Sequence, residues 1–228
     1  ALAFTYAWRF LSRISDKINA GTRLLVTSSV VALCISFLGP LAIPVIKNTG
    51  GGPDQMKLAI HFYLHFQYNA FFVLGVLTLM ARKSNAVDIK VPAALTILGM
   101  CCTYFVTVSW GIESGILNGI GAAGAIIQFV GIVWLLLKLN PFKLGNSSML
   151  SKFLIMVVVG SLALKCALQV GANWFPQLSM EGGLHFWVIA FLHLIFLGVV
   201  TPYLLFEFIE NKLLFNTILI KGGLVGFL

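Results

Sequence analysis

Charge is what this sequence has least of. Only 10% of its 228 residues are Asp, Glu, Lys or Arg, while 59% are hydrophobic and the mean hydropathy is +0.98. A soluble domain carries roughly a quarter charged residues, so the composition excludes one and implies an integral membrane protein. Acidic residues are the scarcer sign, 7 against 15 Lys and Arg. The resulting net charge of +8 does not point to nucleic acid, because the basic residues sit between the oily runs, where they report membrane orientation. No C-x-x-C pair exists. Cys34, Cys101, Cys102 and Cys166 all fall inside oily segments and read as small buried hydrophobes rather than as disulfide or metal ligands. An initiator Met and a signal peptide are also missing from the start. The opening A-L-A-F-T-Y-A-W-R-F resembles the last turns of a helix leaving the membrane, and the close at I-L-I-K-G-G-L-V-G-F-L is an oily run cut short. The expectation is a single transmembrane helical domain, 1–228, belonging to a longer chain.

What the sequence does have is long apolar runs. At about 20 residues per crossing, the chain holds six spans and a partial seventh: about Leu24 to Ile46, Leu58 to Ala81, Val91 to Trp110, Ile116 to Leu137, Lys152 to Val170 and Leu184 to Ile209. Pro40 and Pro44 should kink or stop the first, and Pro92 suits the first turn of the third. The fourth carries Gly119, Gly121, Ala122, Ala123 and Gly124, small residues of the kind that let membrane helices approach closely. A turn is expected at Gly145-Asn146. Arg9, Arg13, Lys17 and Arg23 share one side with Arg82, Lys83, Lys90, Lys138, Lys143, Lys152, Lys212 and Lys221, leaving only Lys47 and Lys57 for the other. That partition, 12 against 2, puts the start of the chain in the cytoplasm.

All four histidines lie in two of these spans. The second contains I-H-F-Y-L-H-F-Q-Y-N-A-F-F-V-L-G, from Ile60 to Gly75, and the sixth contains L-H-F-W-V-I-A-F-L-H-L-I-F-L-G, from Leu184 to Gly198. Strongly polar groups in hydrocarbon are functional candidates by default. His61 and His65 are four apart, able to ligate one metal or to stack two polar contacts, with Tyr68 and Asn69 continuing their face; otherwise His61 lies among headgroups and His65 bonds a neighbouring helix. His185 and His193 are eight apart, about 80° and 12 Å removed from each other, so they cannot easily grip one ion. His185, beside Trp187, reads as an interfacial anchor or a metal ligand, and His193, deeper among Leu, Ile and Phe, as the stronger ligand candidate. Lys165 shares a face with Gln169 in the fifth span. It either snorkels outward or meets an anion: a haem propionate, a bound ion or Glu113. With the topology above, His65, His193, Lys165 and Gln169 share one layer in the outer half of the membrane.

The segments H-F-Y-L-H-F-Q-Y-N-A-F-F (His61 to Phe72), K-C-A-L-Q (Lys165 to Gln169) and F-L-H-L-I-F-L-G (Phe191 to Gly198) resemble the catalytic subunit I superfamily of haem–copper oxidases. That superfamily includes the smaller bacterial membrane proteins related to the nitric-oxide-response protein NnrS and those found in Bacteroidetes-type bacteria. The resemblance covers spans two, five and six and looks like the C-terminal part of such a protein. It implies a bacterial inner-membrane bundle binding haem, copper or another metal ion, with a redox or nitric-oxide-related role and other respiratory-chain subunits as possible partners. By that carry-over His61 or His65 takes the copper-ligand position and His193 a haem-ligand position, with Lys165, Gln169 and Tyr68 beside the cofactor. The third span, with C-C-T-Y-F-V-T-V-S-W, lacks the family's adjacent histidine pair. The resemblance therefore implies an incomplete oxygen-reducing site. The alternative, from the residues alone, is a transporter or proton-relay protein with a cofactor-free His/Lys site; a third is a structural subunit whose histidines only bond neighbouring helices.

Overall fold

A computed structural model of the chain describes residues 2–14, 18–108, 114–144, 148–172 and 184–213, without the side chains of 2, 3, 6, 107, 184 and 185. Among the described residues there is no strand. In hydrocarbon each N–H and C=O must be satisfied within its own segment, and a helix does that.

The chain opens with α1 (Leu2–Ser12) and α2 (Ala20–Ser36). Asn19 caps α2 by accepting from the Thr22 N–H at 2.8 Å and donates to the Ala86 carbonyl at 2.8 Å, tying this end to a later turn. A break at Phe37 separates α2 from α3 (Leu38–Asn48). The break falls where Pro40 demands it, since a proline ring clashes with the carbonyl four residues back, here that of Ser36. The expected first span therefore kinks but does not stop, and runs over Ala20–Asn48.

The second span is one helix from Pro53 to Ser84 with a changed middle: α4 (Pro53–Leu64), a π-helical segment His65–Phe72, then α5 (Val73–Ser84). The third is α6 (Lys90–Val108) and the fourth α7 (Gly115–Leu139), which ends at Asn140 in the left-handed region before Pro141. The fifth is α8 (Met149–Ala172). The sixth repeats the construction of the second: α9 (Leu184–His193), a π-helical segment Leu194–Val200, and α10 (Thr201–Glu210). Among the described residues five helices are long and apolar enough to cross a membrane, and Lys90–Val106 is a shorter apolar helix between them. This is a multi-pass membrane protein in contact with lipid. The partial seventh span, the Gly145-Asn146 turn, most of the loop before the sixth span, Glu113 and Glu181 lie outside the described residues.

Close packing is concentrated between α6 and α7. Gly121 and Gly124 are buried against Val106 and Cys102, Gly131 against Thr96, and Gly99 of α6 against Gln128. A methyl at Gly121 would lie 2.7 Å from Val106 Cγ2. Gly119 and Ala123, expected to join this contact, are exposed, and nothing lies near Gly119. Leu74, Leu77 and Met80 pack with Leu154, Val158 and Leu162 of α8 and with Ile195, Val199 and Phe206 of the sixth span in one buried cluster. Spans two and six run side by side in the same direction. Tyr68 and Phe72 meet Phe196 at ring separations of 6.3 and 5.8 Å, and further along Lys83 pairs with Glu207 at 3.4 Å. Glu207 also accepts from the Tyr203 hydroxyl at 2.8 Å.

Candidate functional site: a cavity among the spans

The π-bearing second span is where polarity and packing meet. A π turn closes i→i+5 and leaves the surrounding α ladder one residue out of step, so carbonyls lose their usual partners. Ser29 of α2 compensates at one of them, donating to the Phe71 carbonyl at 2.9 Å, and the Ser36 hydroxyl donates to the side-chain Oε1 of Gln67 at 2.8 Å. The segment is held by its neighbours as much as by its own ladder. It starts at His65, and the other π segment starts one residue after His193.

A cavity of about 670 Å³ opens beside the first π segment. Its inner wall is His61, Leu64, His65, Tyr68 and Asn69, together with Thr103 and Val106 of α6. Leu164, Ala167, Leu168 and Gln169 of α8 and Trp187, Ala190 and Phe191 of α9 form the facing wall. The volume falls within the range of small-molecule sites, and the lining has their usual form, mostly apolar with a few convergent polar groups.

His65 is fixed at one ring nitrogen. Its Nε2 lies 2.8 Å from the Met100 carbonyl. A carbonyl can only accept, so Nε2 carries the proton and Nδ1 keeps its lone pair. Phe66 stands edge-on to the imidazole at 5.3 Å and Tyr104 tilts against it at 5.5 Å, which limits ring rotation. Asn69, one turn on, is 1% exposed. Both polar atoms of its side chain lack a partner among the described residues. Of the four buried polar side-chain atoms in that condition, the others being on Thr22 and Gln128, only those of Asn69 belong to a residue lining the cavity.

Lys165 is fully buried, and its Nζ donates to Gln169 Oε1 at 2.6 Å. It stays inside and does not snorkel. Lys165 is not among the residues that line the cavity, while its partner Gln169 is, so it stands behind that wall. Tyr68 lines the cavity with its ring 5.6 Å from Phe72.

His193 lies elsewhere. Its ring is exposed, Nδ1 lies 2.8 Å from the Ile189 carbonyl of its own helix, and it does not line the cavity. The structure thus brings His61, His65, Tyr68, Gln169 and, one layer back, Lys165 together, and leaves His193 on another face. The side chain of His185 is outside the described residues. Among the described residues no three His, Cys, Asp or Glu side chains gather closely enough to hold a metal ion. For a haem, the described residues supply the imidazoles of His61 and His65, both from one helix, and one buried ammonium, at Lys165; none of the described residues brings an imidazole to the facing wall.

Sequence reasoning put Asn69 on the right face without singling it out, and it missed the Met100 carbonyl. The signal for Asn69 was its place one turn after His65 in an oily span. No side chain announces the carbonyl. No family model, curated protein or solved structure matches this chain.

Proposed function

We propose that this chain is a membrane-embedded binding protein whose cavity takes an amphiphilic ligand, with its polar head at Asn69 and His65 and its apolar body against α8 and α9. The observation that carries the reading is Asn69: a residue that lines the cavity, is 1% exposed, and has neither its acceptor nor its donors engaged among the described residues. Leaving such a group unsatisfied costs about 1–3 kcal/mol. A ligand head offering one donor and one acceptor removes that cost. The partition of basic residues, 12 against 2, and the resemblance to bacterial membrane proteins support a bacterial inner membrane, with the start of the chain in the cytoplasm and the cavity in the outer half.

A second reading is favoured by His65. Histidines that ligate metals ordinarily donate their other ring N–H to a carbonyl or carboxylate, which fixes the tautomer. His65 has that arrangement through Met100. A haem would be held at Nδ1 of His65, with Lys165 as the cation nearest its propionates, and would supply redox or gas-binding chemistry. Copper, oxygen reduction and respiratory partners follow from the family resemblance alone.

Native mass spectrometry of the detergent-solubilised protein, with an absorption spectrum of the same sample, tests both readings. A bound small molecule is expected in the wild type and is lost in Asn69→Leu. If it is haem, a Soret band disappears in His65→Leu and persists in His193→Ala. A bare polypeptide mass in wild-type preparations would overturn the proposal.

A further inference from the structure

We infer that the ligand is a single-chain, carboxylate-headed lipid that reaches the cavity sideways from the bilayer, between α8 and α9. This rests on the binding reading above and adds to it the head group and the route.

The route follows from which wall is exposed. Asn69, Thr103 and Val106, on the α4 and α6 side, are buried. On the opposite side Leu164 is 50% exposed, Leu168 39% and Trp187 51%, and Ala167, Ala172 and Ala190 are exposed between them. The cavity is closed toward the bundle and open at a gap edged by large apolar residues and alanines. In a membrane that gap faces hydrocarbon, where the solutes on offer are lipid-soluble ones. A volume of about 670 Å³ takes a single chain more readily than a two-chain phospholipid.

The head group follows from the charges. Lys165 is fully buried at membrane depth, and among the described residues it bonds the neutral Gln169 oxygen. Among those residues no carboxylate meets it, whereas a buried ion needs a counter-charge. Lys165 stands behind the wall and not in it, so its field reaches the head through a low-dielectric interior, where Coulomb attraction is strong. Asn69 supplies N–H donors to a carboxylate oxygen, and its own carbonyl can accept from a protonated acid. Nδ1 of His65 is a second acceptor for that acid proton. Either protonation state of a carboxyl group therefore finds its complement. A fatty alcohol would satisfy Asn69 but leave Lys165 without an anion, and an amine would be repelled.

Titrating the purified full chain with palmitic acid and, separately, with 1-hexadecanol tests this, with bound lipid read by native mass spectrometry. Palmitate should bind at one saturable site at least tenfold more tightly than the alcohol. In Lys165→Met, and in Lys165→Gln should the first variant not fold, the acid should fall to the affinity of the alcohol while the alcohol is unchanged. Ala190→Trp, at the mouth, should weaken both. Equal affinity for the two lipids in the wild type overturns the head-group assignment and leaves the binding reading standing. Undiminished palmitate binding in a folded Ala190→Trp protein overturns the route. If neither lipid binds saturably the whole inference falls, and the co-purified ligand lost in Asn69→Leu then decides the earlier reading by itself.

Discussion

Asn69 sets function against stability within a single side chain. Its two polar atoms are buried without partners among the described residues, and replacing such a group by an apolar one of similar shape is nearly neutral or stabilising. Asn69→Leu should therefore stabilise the ligand-free protein by about 1 kcal/mol, raising its midpoint of thermal unfolding, while abolishing ligand binding. Tryptophan fluorescence melts of the two proteins, each stripped of ligand, check the sign; a loss of stability would mean that the amide is engaged in a contact of its own. The site's imidazoles and its buried amine were readable from the sequence, because His61, His65 and Lys165 are conspicuous in apolar runs. The acceptor that fixes His65 was not readable, since the Met100 carbonyl belongs to the backbone and no residue type encodes it. Lys165 illustrates the same limit: the sequence offered snorkelling or burial, and only the packing around α8 decides for burial.

Among the helices, His65 and His193 hold like positions at the start of a π-helical segment, yet one lines the cavity and the other does not. A π turn, closing on the fifth residue, shifts the faces beyond it, so it does not by itself turn either histidine, and the packing of the two spans decides. Treating His193 and His65 as equivalents placed both in one interior layer; in the structure His193 spends its Nδ1 on its own helix and is exposed. The span boundaries, by contrast, fell within a few residues of their expected places, because apolar run length is written directly into the sequence. The small-residue stripe of α7 was half legible. Gly121 and Gly124 press on α6, whereas Gly119 and Ala123 face outward, since only every third or fourth position returns to one side. Gly124→Val should destabilise the bundle by about 1–3 kcal/mol through overpacking against Cys102. Gly119→Val should leave the thermal midpoint almost unchanged. Equal effects of the two substitutions, measured by the same melts, would contradict the α6–α7 contact described here.

The molecule as a whole is a bundle in which the second and sixth spans run parallel, joined by aromatic contacts near the π segments and by Lys83 and Glu207 further along. Helical class and membrane residence follow from composition alone. The cavity does not, because it depends on how α8 and α9 stand away from α4, which no local pattern records. That separation makes the molecule asymmetric: one gap admits lipid-soluble molecules, while α7 turns Ile116, Ile126 and Leu137 outward. A diazirine-bearing palmitic acid, photolysed in proteoliposomes containing the full chain and mapped by peptide sequencing, distinguishes these surfaces directly. The label should concentrate on Leu164 to Ala172, on Trp187 to Phe191 and on the peptide carrying Asn69, and unlabelled palmitate should displace it. Label spread evenly over the exposed apolar faces, α7 included, and unmoved by competitor would contradict the account.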